Sequence, residues 1–530
     1  DATADVTLNN LLDKYDLLEY NCASCGYVYQ GDISTEKDDY VCPECGAAKS
    51  QFTLADRTMA RKIAGVRYQM EVYGSNASNP YTFSKDIPID VVVKIREYSQ
   101  QMPGVEIKET TSRRYVDGTL APHAVGVVGS INAEEYEAEN AQILEQIKEE
   151  HPDWTEEQIN ELYQEQKYGY NDIIGKSGLE YAMEDELRGE RGKKRITTDA
   201  QGNVLSTEII KQAVPGNTIV TTLDKDLQRA ALEGSAEFLE MAKKTYSPEE
   251  GGSADRISVV AQDVKTGEIL AMVNYPTYDL SDYYTKYSEL SSDPLHPLIN
   301  YCTQGIYMPG SIYKPVVGIG ALASGVIDGD TLIDCKQIYQ TGTDYNPRCL
   351  GLHGPINIQY ALMVSCNYFF YEAGTRQGID NIVKYSEQLG LGVESGIELS
   401  EATGHVSCPE YYESVREGQV GGTWTYGNVL QSSIGQLDNA YTPLQMANYV
   451  ATLANDGTRM RSHLVKSVES YNLEETISVT EPEVLNQVEA DQEAFDQVRE
   501  GMVRCSRDTT RGSARYYFGD YPIDVAAKTG

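Results

Sequence analysis

The sequence has no long apolar run and no surplus of positive charge. No segment reaches 18 consecutive apolar residues, and the first residues lack the basic, apolar and small-residue order of a signal peptide. The 80 acidic residues outnumber the 44 basic ones, which gives a formal net charge of -36. Because phosphate groups and anionic lipids bind to basic surfaces, this balance argues against nucleic acid and anionic membrane as partners.

Histidine is also scarce. The six histidines show no metalloprotease spacing and offer no partner for a serine triad. A lone histidine such as His353 is therefore expected to be a packing or turn residue. With 530 residues, the chain is too long for one ordinary core, and we expect about two to four domains. Asp1 and Gly530 look like cut ends, so the natural protein is expected to be longer.

Two Cys-x-x-Cys knuckles lie near the start of the chain, and each ends in glycine. Their thiols belong to Cys22, Cys25, Cys42 and Cys45. Four thiolates with this spacing predict a tetrahedral site for one soft or borderline metal, either zinc or iron. Aromatic residues accompany the knuckles, namely Tyr20, Tyr27, Tyr29, Tyr40 and Phe52.

With its short loop between the knuckles, the stretch 19–54 resembles a rubredoxin-like domain. The resemblance implies a single iron, with zinc as the usual substitute. The site would serve either electron transfer or as a structural clip that lets a short segment fold without a large core. We favour the clip, because nothing else in the chain resembles a redox partner.

The other six cysteines are scattered and do not suggest a small disulfide scaffold. Cys335 and Cys349 flank a turn-rich segment. They are either a disulfide pair in an oxidising compartment or two free thiols.

The middle of the chain predicts structure but little chemistry. The glutamate-rich run 134–166 is expected to be a solvated helical excursion, with Thr155 to Gln158 as a capping box. Gly175-Lys176-Ser177 resembles a phosphate loop. Tyr170 stands where that pattern requires its first glycine, so a nucleotide site is not expected.

Pro215-Gly216 marks a domain boundary. The segments after it alternate between strand and helix patterns, and they predict helices packed on an antiparallel sheet in an α+β protein. The predicted elements are the strand Thr218 to Leu223, the helix Asp226 to Leu239, the hairpin from Ile257 to Asn274, the helix Pro443 to Asn455 and the strand Ile523 to Ala527.

The segment Ser311-Ile312-Tyr313-Lys314 can pair a nucleophile with a base. If Pro309-Gly310 is a turn and the run Val316 to Leu322 is a buried helix, Ser311 and Lys314 lie on one helical face. A serine needs a base to take its proton, and a lysine is such a base only where burial or a neighbouring cation lowers its pKa. By itself the pattern is more typical of an exposed helix start.

Two further motifs change this interpretation. Ser365-Cys366-Asn367 follows on an apolar stretch, and Lys528-Thr529-Gly530 comes directly after the last predicted strand. The three motifs in this order are the known signature of penicillin-binding proteins and class A β-lactamases. The chain closely resembles a class B penicillin-binding protein over nearly all of its length apart from the knuckles. Supporting stretches are 175–192, 222–228, 263–276, 433–436 and 442–445.

The resemblance implies a domain organisation. Residues 217–530 would form a transpeptidase domain of the β-lactamase-like kind, truncated at its C-terminus. Residues 1–216 would form an elongated pedestal, or dimerisation-type domain, interrupted by the rubredoxin-like module 19–54. The knuckles are a departure from the family pattern, and a β-lactamase would carry no pedestal.

The resemblance also implies a mechanism. Ser311 would attack the carbonyl between two D-alanines of a peptidoglycan stem peptide, while neutral Lys314 takes its proton. Ser365 and Asn367 would relay a proton to the leaving amine and hold the substrate amide. Lys528 would supply the positive potential that favours neutral Lys314. An amine from a neighbouring stem peptide would then resolve the acyl-enzyme into a cross-link, and no cofactor is needed.

The last motif would bind substrate. Thr529, together with Lys528, would hold the terminal carboxylate of the substrate or of a penicillin, and Gly530 completes the motif. The oxyanion hole would use the backbone N–H of Ser311 and that of a residue two positions beyond Gly530. Because that residue lies outside the chain, we expect the chain itself to bind β-lactams poorly and to turn over nothing.

The cellular setting follows from the same resemblance. It implies an extracytoplasmic protein, anchored in the cell membrane by an N-terminal helix outside this chain, with a membrane-bound glycosyltransferase as partner. Three alternatives remain open: a β-lactam sensor, a non-catalytic scaffold of a wall-building complex and a carboxypeptidase.

Overall fold

A computed structural model describes residues 2–72, 74–75, 80–102, 104–108, 112–170, 172–198 and 204–530. The chain divides into two compact units. The first comprises Asp1–Thr111, Ile131–Asp172 and Thr198–Leu205, and the second comprises Ser112–Ser130, Ile173–Thr197 and Ser206–Gly530. In the described part of the chain, no helix has the length and apolar content needed to cross a bilayer.

The chain begins with a small sheet and its flanking helices. These elements are α1 (Ala2–Lys14), β1 (Glu19–Cys22), β2 (Val28–Gln30), β3 (Phe52–Leu54), α2 (Thr58–Val72) and α3 (Ile89–Glu97). Strand β1 is central and pairs antiparallel with β2 and β3. Helices α1 and α2 contribute to a small apolar cluster of Leu12, Leu18 and Ala64. Each large apolar side chain buried in it contributes only about 1.5–3 kcal/mol, so this cluster alone gives the sheet little stability.

The glutamate-rich run is helical, as expected. The elements of this region are α4 (Pro122–Val125), β4 (Val128–Ser130), α5 (Ala133–Glu150), α6 (Glu156–Gln166), β5 (Ile173–Gly175), α7 (Gly178–Ala182), α8 (Glu184–Leu187), β6 (Lys193–Thr198) and β7 (Val204–Lys211). The predicted capping box is formed, because Thr155 and Gln158 each accept the other's backbone N–H. Most side chains of α5 and α6 are exposed.

A hairpin and a long helix follow. The elements are β8 (Thr218–Thr221), α9 (Lys225–Thr245), β9 (Ile257–Gln262), β10 (Ile269–Tyr275), α10 (Tyr287–Ser292), α11 (Tyr301–Gln304) and α12 (Lys314–Ala323). Strands β9 and β10 form the predicted antiparallel hairpin. Its turn is held by Asp263, whose carboxylate accepts the N–H groups of Lys265 and Thr266.

Six further strands and eight further helices complete the second unit. They are β11 (Ile333–Cys335), β12 (Gly354–Ile356), α13 (Ile358–Met363), α14 (Asn367–Gln377), α15 (Ile379–Gln388), α16 (Pro409–Ser414), α17 (Tyr426–Ser432), α18 (Pro443–Ala454), β13 (Thr458–Met460), β14 (Val465–Glu469), β15 (Thr476–Val479), β16 (Val484–Gln487), α19 (Gln492–Arg507) and α20 (Arg515–Phe518). Strand β14 pairs antiparallel with β8 and β15. Helices beside antiparallel strands confirm the α+β class.

Helix α12 lies in the main core. Every residue from Lys314 to Ala321 is buried. A helix that is apolar on all sides is expected inside a large domain, and α12 packs against α14, α15 and α19. The core therefore fixes the position of the helix that follows Ser311.

The predicted strand Ile523 to Ala527 is not formed. A strand needs a neighbour that takes its backbone hydrogen bonds. Here the Ala527 N–H donates to Met502 O, which belongs to helix α19. The last motif thus follows a segment tied to a helix.

Candidate functional site

Ser311 lies in a single 3-10 turn, Gly310–Tyr313, that leads directly into α12. Gly310 has a positive φ of 53°, and its N–H donates to Gly435 O at 2.9 Å. Gly435 approaches so closely that a Cβ at this position would lie 2.2 Å from Gly310 O. The glycine after Ser433-Ile434 is therefore needed for the turn that carries Ser311.

Lys314 is the first residue of α12 and is fully buried. Its Nζ donates to Ser365 O at 2.8 Å, to Ser365 Oγ at 3.1 Å and to Asn367 Oδ1 at 2.6 Å. Burial, and next the positive charge of Lys528, lower the pKa of Lys314 to about 7. A lysine with this pKa is largely neutral just above neutral pH, as a general base must be.

The second motif sits at a sharp bend between α13 and α14. Ser365 has a positive φ of 56°, a strained conformation that is uncommon for a residue other than glycine and that recurs at active sites. Cys366 then caps α14, with its Sγ accepting the Phe369 N–H at 3.4 Å. Asn367 is the first residue of that helix. The bend brings the side chains of Ser365 and Asn367 to Lys314.

Lys528 contacts the same serine. Its Nζ donates to Ser365 Oγ at 3.0 Å and to Thr529 O at 2.8 Å. Burial lowers the pKa of Lys528 to about 8. Ser365 Oγ therefore accepts hydrogen bonds from two amines.

Gly530 lies against the turn that carries the nucleophile. A Cβ built on Gly530 would lie 3.3 Å from Pro309 O and 3.5 Å from Ile312 Cγ2. The structure thus brings all seven predicted residues of the three motifs to one place: Ser311, Lys314, Ser365, Asn367, Lys528, Thr529 and Gly530.

The four thiols of the knuckles also converge. The Sγ atoms of Cys22 and Cys45 are 3.7 Å apart, and those of Cys25 and Cys42 are 3.6 Å apart. All four lie within 4.8 Å of one another. Thiolates around a tetrahedral zinc are separated by about 3.8 Å, as follows from a metal–sulfur bond of about 2.3 Å. The cluster can therefore bind a metal.

The two knuckles share one backbone geometry. In the first, Gly26 N–H donates to Cys22 O at 2.8 Å, and in the second, Gly46 N–H donates to Cys42 O at 2.8 Å. Gly26 and Gly46 have φ values of 79° and 73°, which explains why each knuckle ends in glycine. The repetition gives each knuckle one buried and one exposed cysteine.

A second cluster of metal-binding side chains lies in the second unit. It consists of Cys335, Cys349, His353 and Cys366, whose ligand atoms lie within 4.8 Å of one another. His353 Nδ1 is 3.5 Å from Cys335 Sγ, and Cys349 Sγ is 3.6 Å from Cys366 Sγ. Three thiols and one imidazole at these distances fit a tetrahedral metal.

This cluster decides between the two alternatives for Cys335 and Cys349 and corrects one expectation, that for His353. Cys335 and Cys349 are free thiols and not a disulfide pair. His353 is not a lone packing residue, because its ring nitrogen contacts both thiols. The signal in the sequence was Cys366, which stands between Ser365 and Asn367, but the irregular spacing of the four ligands concealed the set.

Two family profiles match the chain. The profile described as "Penicillin binding protein transpeptidase domain" matches residues 257–530, and the one described as "Penicillin-binding Protein dimerisation domain" matches residues 46–221. The first match covers more than half of the chain. The chain belongs to the penicillin-binding proteins. The two profiles together confirm the class B resemblance.

This penicillin-binding protein is similar to several known proteins. It is 30% identical over 385 residues to the peptidoglycan D,D-transpeptidase MrdA of Acinetobacter baumannii, a match that covers 71% of this chain and 51% of that protein. It is 28% identical over 498 residues to penicillin-binding protein 2A of Bacillus subtilis, with 90% and 62% of the two chains covered. The chain thus spans about half to three-fifths of the length of these relatives.

A solved structure supports the fold. PBP2 of Helicobacter pylori, determined in a complex with MreC, matches this penicillin-binding protein with a TM-score of 0.64 and 24% sequence identity. The match covers 84% of this chain and 73% of that one. At this identity the likeness shows the fold alone.

Proposed function

We propose that the chain is the extracytoplasmic part of a peptidoglycan D,D-transpeptidase, which cross-links stem peptides through a serine acyl-enzyme and is a target of β-lactams. The observation that carries the proposal is the pair of hydrogen bonds that Ser365 Oγ accepts from Lys314 and Lys528, at 3.1 and 3.0 Å. Lys314 directly follows the turn that carries Ser311, so the base lies next to the nucleophile in the sequence.

The acylation step uses the two lysines differently. Neutral Lys314 takes the proton of the Ser311 hydroxyl, and Ser311 Oγ forms a bond to the substrate carbonyl carbon. The N–H of Ser311 lies in the first turn and has no partner within the helix, so it is placed to donate to the oxyanion. Lys528 stays charged at neutral pH and favours the neutral form of Lys314.

The proton then leaves through Ser365. Its hydroxyl is within hydrogen-bonding distance of Lys314, so it can pass the proton to the departing D-alanine amine while the carbon–nitrogen bond breaks. Asn367 holds the substrate amide, and Thr529 with Lys528 holds the terminal carboxylate. The amine of a second stem peptide next attacks the acyl-enzyme, which releases Ser311 and completes the cross-link.

The knuckles serve as a structural clip. We assign one iron or zinc ion to Cys22, Cys25, Cys42 and Cys45 in a rubredoxin-like module. Four thiolates bind either ion, and the bonds replace the stability that the small apolar cluster beside the sheet does not supply.

The second cluster supports the active site directly. Cys335, Cys349, His353 and Cys366 would hold a zinc ion, since three thiolates and an imidazole form a closed structural zinc site. Cys366 is bonded on either side to Ser365 and Asn367. An ion bound there fixes the bend that presents both residues to Lys314.

The substrate determines the location and the partners. Peptidoglycan is cross-linked outside the cytoplasmic membrane, so the protein works there and is anchored by a segment outside this chain. A membrane-bound glycosyltransferase would supply the glycan strands. The similar Helicobacter pylori protein was solved in a complex with MreC, and we propose a comparable partner for this chain.

The test is the intact mass of the protein, continued through its natural C-terminus, after incubation with benzylpenicillin. We expect an adduct of one penicillin that peptide mapping locates on Ser311 and that Ser311→Ala abolishes. A folded protein without this adduct would contradict the proposal and favour a non-catalytic scaffold.

A further inference from the structure

A chain of hydrogen bonds leads from the buried face of α19 to the last motif. Cys505 of α19 is fully buried, and its Sγ lies 2.9 Å from Ser513 Oγ. Ser513 Oγ in turn lies 2.9 Å from Thr529 Oγ1. Neither Cys505 nor Ser513 belongs to any of the three motifs.

The loop that carries Ser513 is held firmly. The Asp508 carboxylate accepts the backbone N–H groups of Thr510 and Arg511, at 2.9 and 2.8 Å. Gly512 N–H donates to Asp508 O at 3.0 Å, and a Cβ at Gly512 would lie 2.5 Å from Cys505 O. The loop therefore follows α19 closely, and only glycine fits at the position before Ser513.

The same loop is tied to the second motif. The Ser513 N–H donates to Met363 O at 3.3 Å, and Met363 ends helix α13, two residues before Ser365. The Ala514 N–H donates to Cys505 O at 3.0 Å. Ser513 thus stands between two elements that carry or support the site, and its hydroxyl has a fixed position beside Thr529.

The number of available protons determines which group donates in each hydrogen bond between Cys505, Ser513 and Thr529. A carboxylate only accepts hydrogen bonds, so Thr529 must direct its single O–H to the substrate. The contact between Thr529 and Ser513 then requires the Ser513 O–H as donor. Ser513 Oγ keeps its lone pairs for the Cys505 S–H, which is a weak donor. All three protons point toward the place where the carboxylate binds.

We propose that Ser513 is a positioning residue, which orients the hydroxyl proton of Thr529 toward the carboxylate of the substrate, with the Cys505 thiol at the buried end of the chain. The inference rests on the proposed function, in which Thr529 holds that carboxylate. Ser513 acts through Thr529 and does not touch the substrate.

A structural role for Ser513 would have different consequences. If its hydroxyl only joined the loop to the last motif, its loss would lower stability and slow every acylating agent to the same extent. An orienting role affects chiefly ligands with a charged acceptor, because a hydrogen bond to a carboxylate is about twice as strong as one to a neutral group.

The experiment compares benzylpenicillin with its methyl ester on the protein continued through its natural C-terminus. The second-order rate constant of acylation is measured by intact mass for the wild type, Ser513→Ala and Ser513→Thr. We expect Ser513→Ala to lose about tenfold with the acid and about twofold or less with the ester, as a misdirected charge-assisted hydrogen bond would cause. Ser513→Thr, which keeps the hydroxyl, should recover the wild-type ratio.

Cys505 provides a second test in the same assay. Cys505→Ala removes the thiol that donates to Ser513. It should lower the ratio of the acylation rate constants for the acid and the ester, as Ser513→Ala does, whereas Cys505→Ser should preserve this ratio. If Ser513→Ala does not fold, as judged by its melting temperature, the pair of Cys505 variants carries the comparison.

Several results would overturn the inference. Equal losses with acid and ester in Ser513→Ala, no loss at all, or a failure of Ser513→Thr to recover the ratio would each do so. If the wild type forms the Ser311 adduct but Thr529→Ala does not lower the acylation rate constant with benzylpenicillin, this inference is wrong while the proposed acyl-enzyme stands. A folded wild type without any Ser311 adduct overturns both.

Discussion

Lys528 Nζ and Lys314 Nζ donate to the same atom, Ser365 Oγ, although 163 residues separate Lys528 from that serine. Two ammonium groups this close repel each other, so one of them loses its proton more readily. The pKa of Lys314 is lowered to about 7 and that of Lys528 to about 8, each chiefly by burial. Lys314 is therefore the amine that becomes neutral first as the pH rises.

This order predicts the pH dependence of acylation. The rate with benzylpenicillin should rise through about pH 7, as Lys314 loses its proton, and fall above about pH 8, as Lys528 loses its charge. In Lys528→Ala, the rising limb should move to higher pH, because removing a neighbouring positive charge raises the pKa of Lys314. The surface variant Lys384→Ala is the control. A rising limb that stays in place in Lys528→Ala would contradict the assignment.

Ser365 combines a shared hydroxyl with a strained backbone. Ser365→Ala and Ser365→Gly both remove the oxygen that contacts the two lysines, so both should slow acylation by about 10²–10⁴-fold. Glycine tolerates the φ of 56°, and we expect Ser365→Gly to be more stable than Ser365→Ala by about 1 kcal/mol. Penicillin labelling and thermal unfolding measure the two effects. Wild-type labelling of Ser365→Gly would show that the hydroxyl is dispensable.

Gly435 should be required for the turn that carries Ser311. In Gly435→Ala the new Cβ would meet Gly310 O at 2.2 Å and Tyr313 Cβ at 2.6 Å, so the turn must shift. Gly418 has a similar φ of 75°, but a Cβ at that position would have no atom within 4 Å, which makes Gly418→Ala a matched control. We expect Gly418→Ala to lose about 1 kcal/mol of stability with normal acylation. Gly435→Ala should lose more stability and acylate slowly, and equal behaviour of the two variants would be inconsistent with the close contact.

Metal content should separate the two cysteine clusters. The wild type is expected to bind two metal ions per chain, measured by elemental analysis. Cys22→Ser should lose one ion and make the first unit sensitive to protease, because its sheet has only a small apolar cluster, while Ser311 stays reactive. A parallel loss of Ser311 labelling in Cys22→Ser would refute a purely structural clip.

The second cluster should behave in the opposite way. Cys349→Ser is expected to lose the other ion and to leave the first unit resistant to protease. The rate of Ser311 acylation should fall, because without the ion the bend at Cys366 that positions Ser365 and Asn367 is no longer held. Normal metal content or normal acylation in Cys349→Ser would contradict the proposed support of the site.

The sequence was most informative where the chemistry is local. Ser311 and Lys314 are three residues apart, and each knuckle pairs cysteines at the same short spacing, so the spacing alone puts the members of each pair on one short stretch of backbone. The order of the three motifs then predicted which distant residues would meet. The capping box at Thr155 and the hairpin around Asp263 were likewise determined by neighbouring residues.

Long-range contacts were the part that the sequence did not reveal. Lys314 donates to Ser365 and Asn367 and makes no described hydrogen bond to Ser311. These partners result from the packing of α12 against α14, which the sequence does not show. The ligands from Cys335 to Cys366 have no regular spacing. The strand expected at Ile523 is not formed, and the backbone N–H of Ala527 donates to helix α19 and not to a neighbouring strand.

The zinc ion proposed for Cys335, Cys349, His353 and Cys366 would also offer a route to inhibition that does not involve the residues proposed to bind the substrate. His353 is only half-buried, whereas the three thiols are enclosed. An electrophile or chelator that reached the proposed ion through His353 and removed it would release the bend that positions Ser365 and Asn367. Such a compound would not compete with a β-lactam, and substitutions at Thr529 or Lys528 that weaken penicillin binding would give no protection against it.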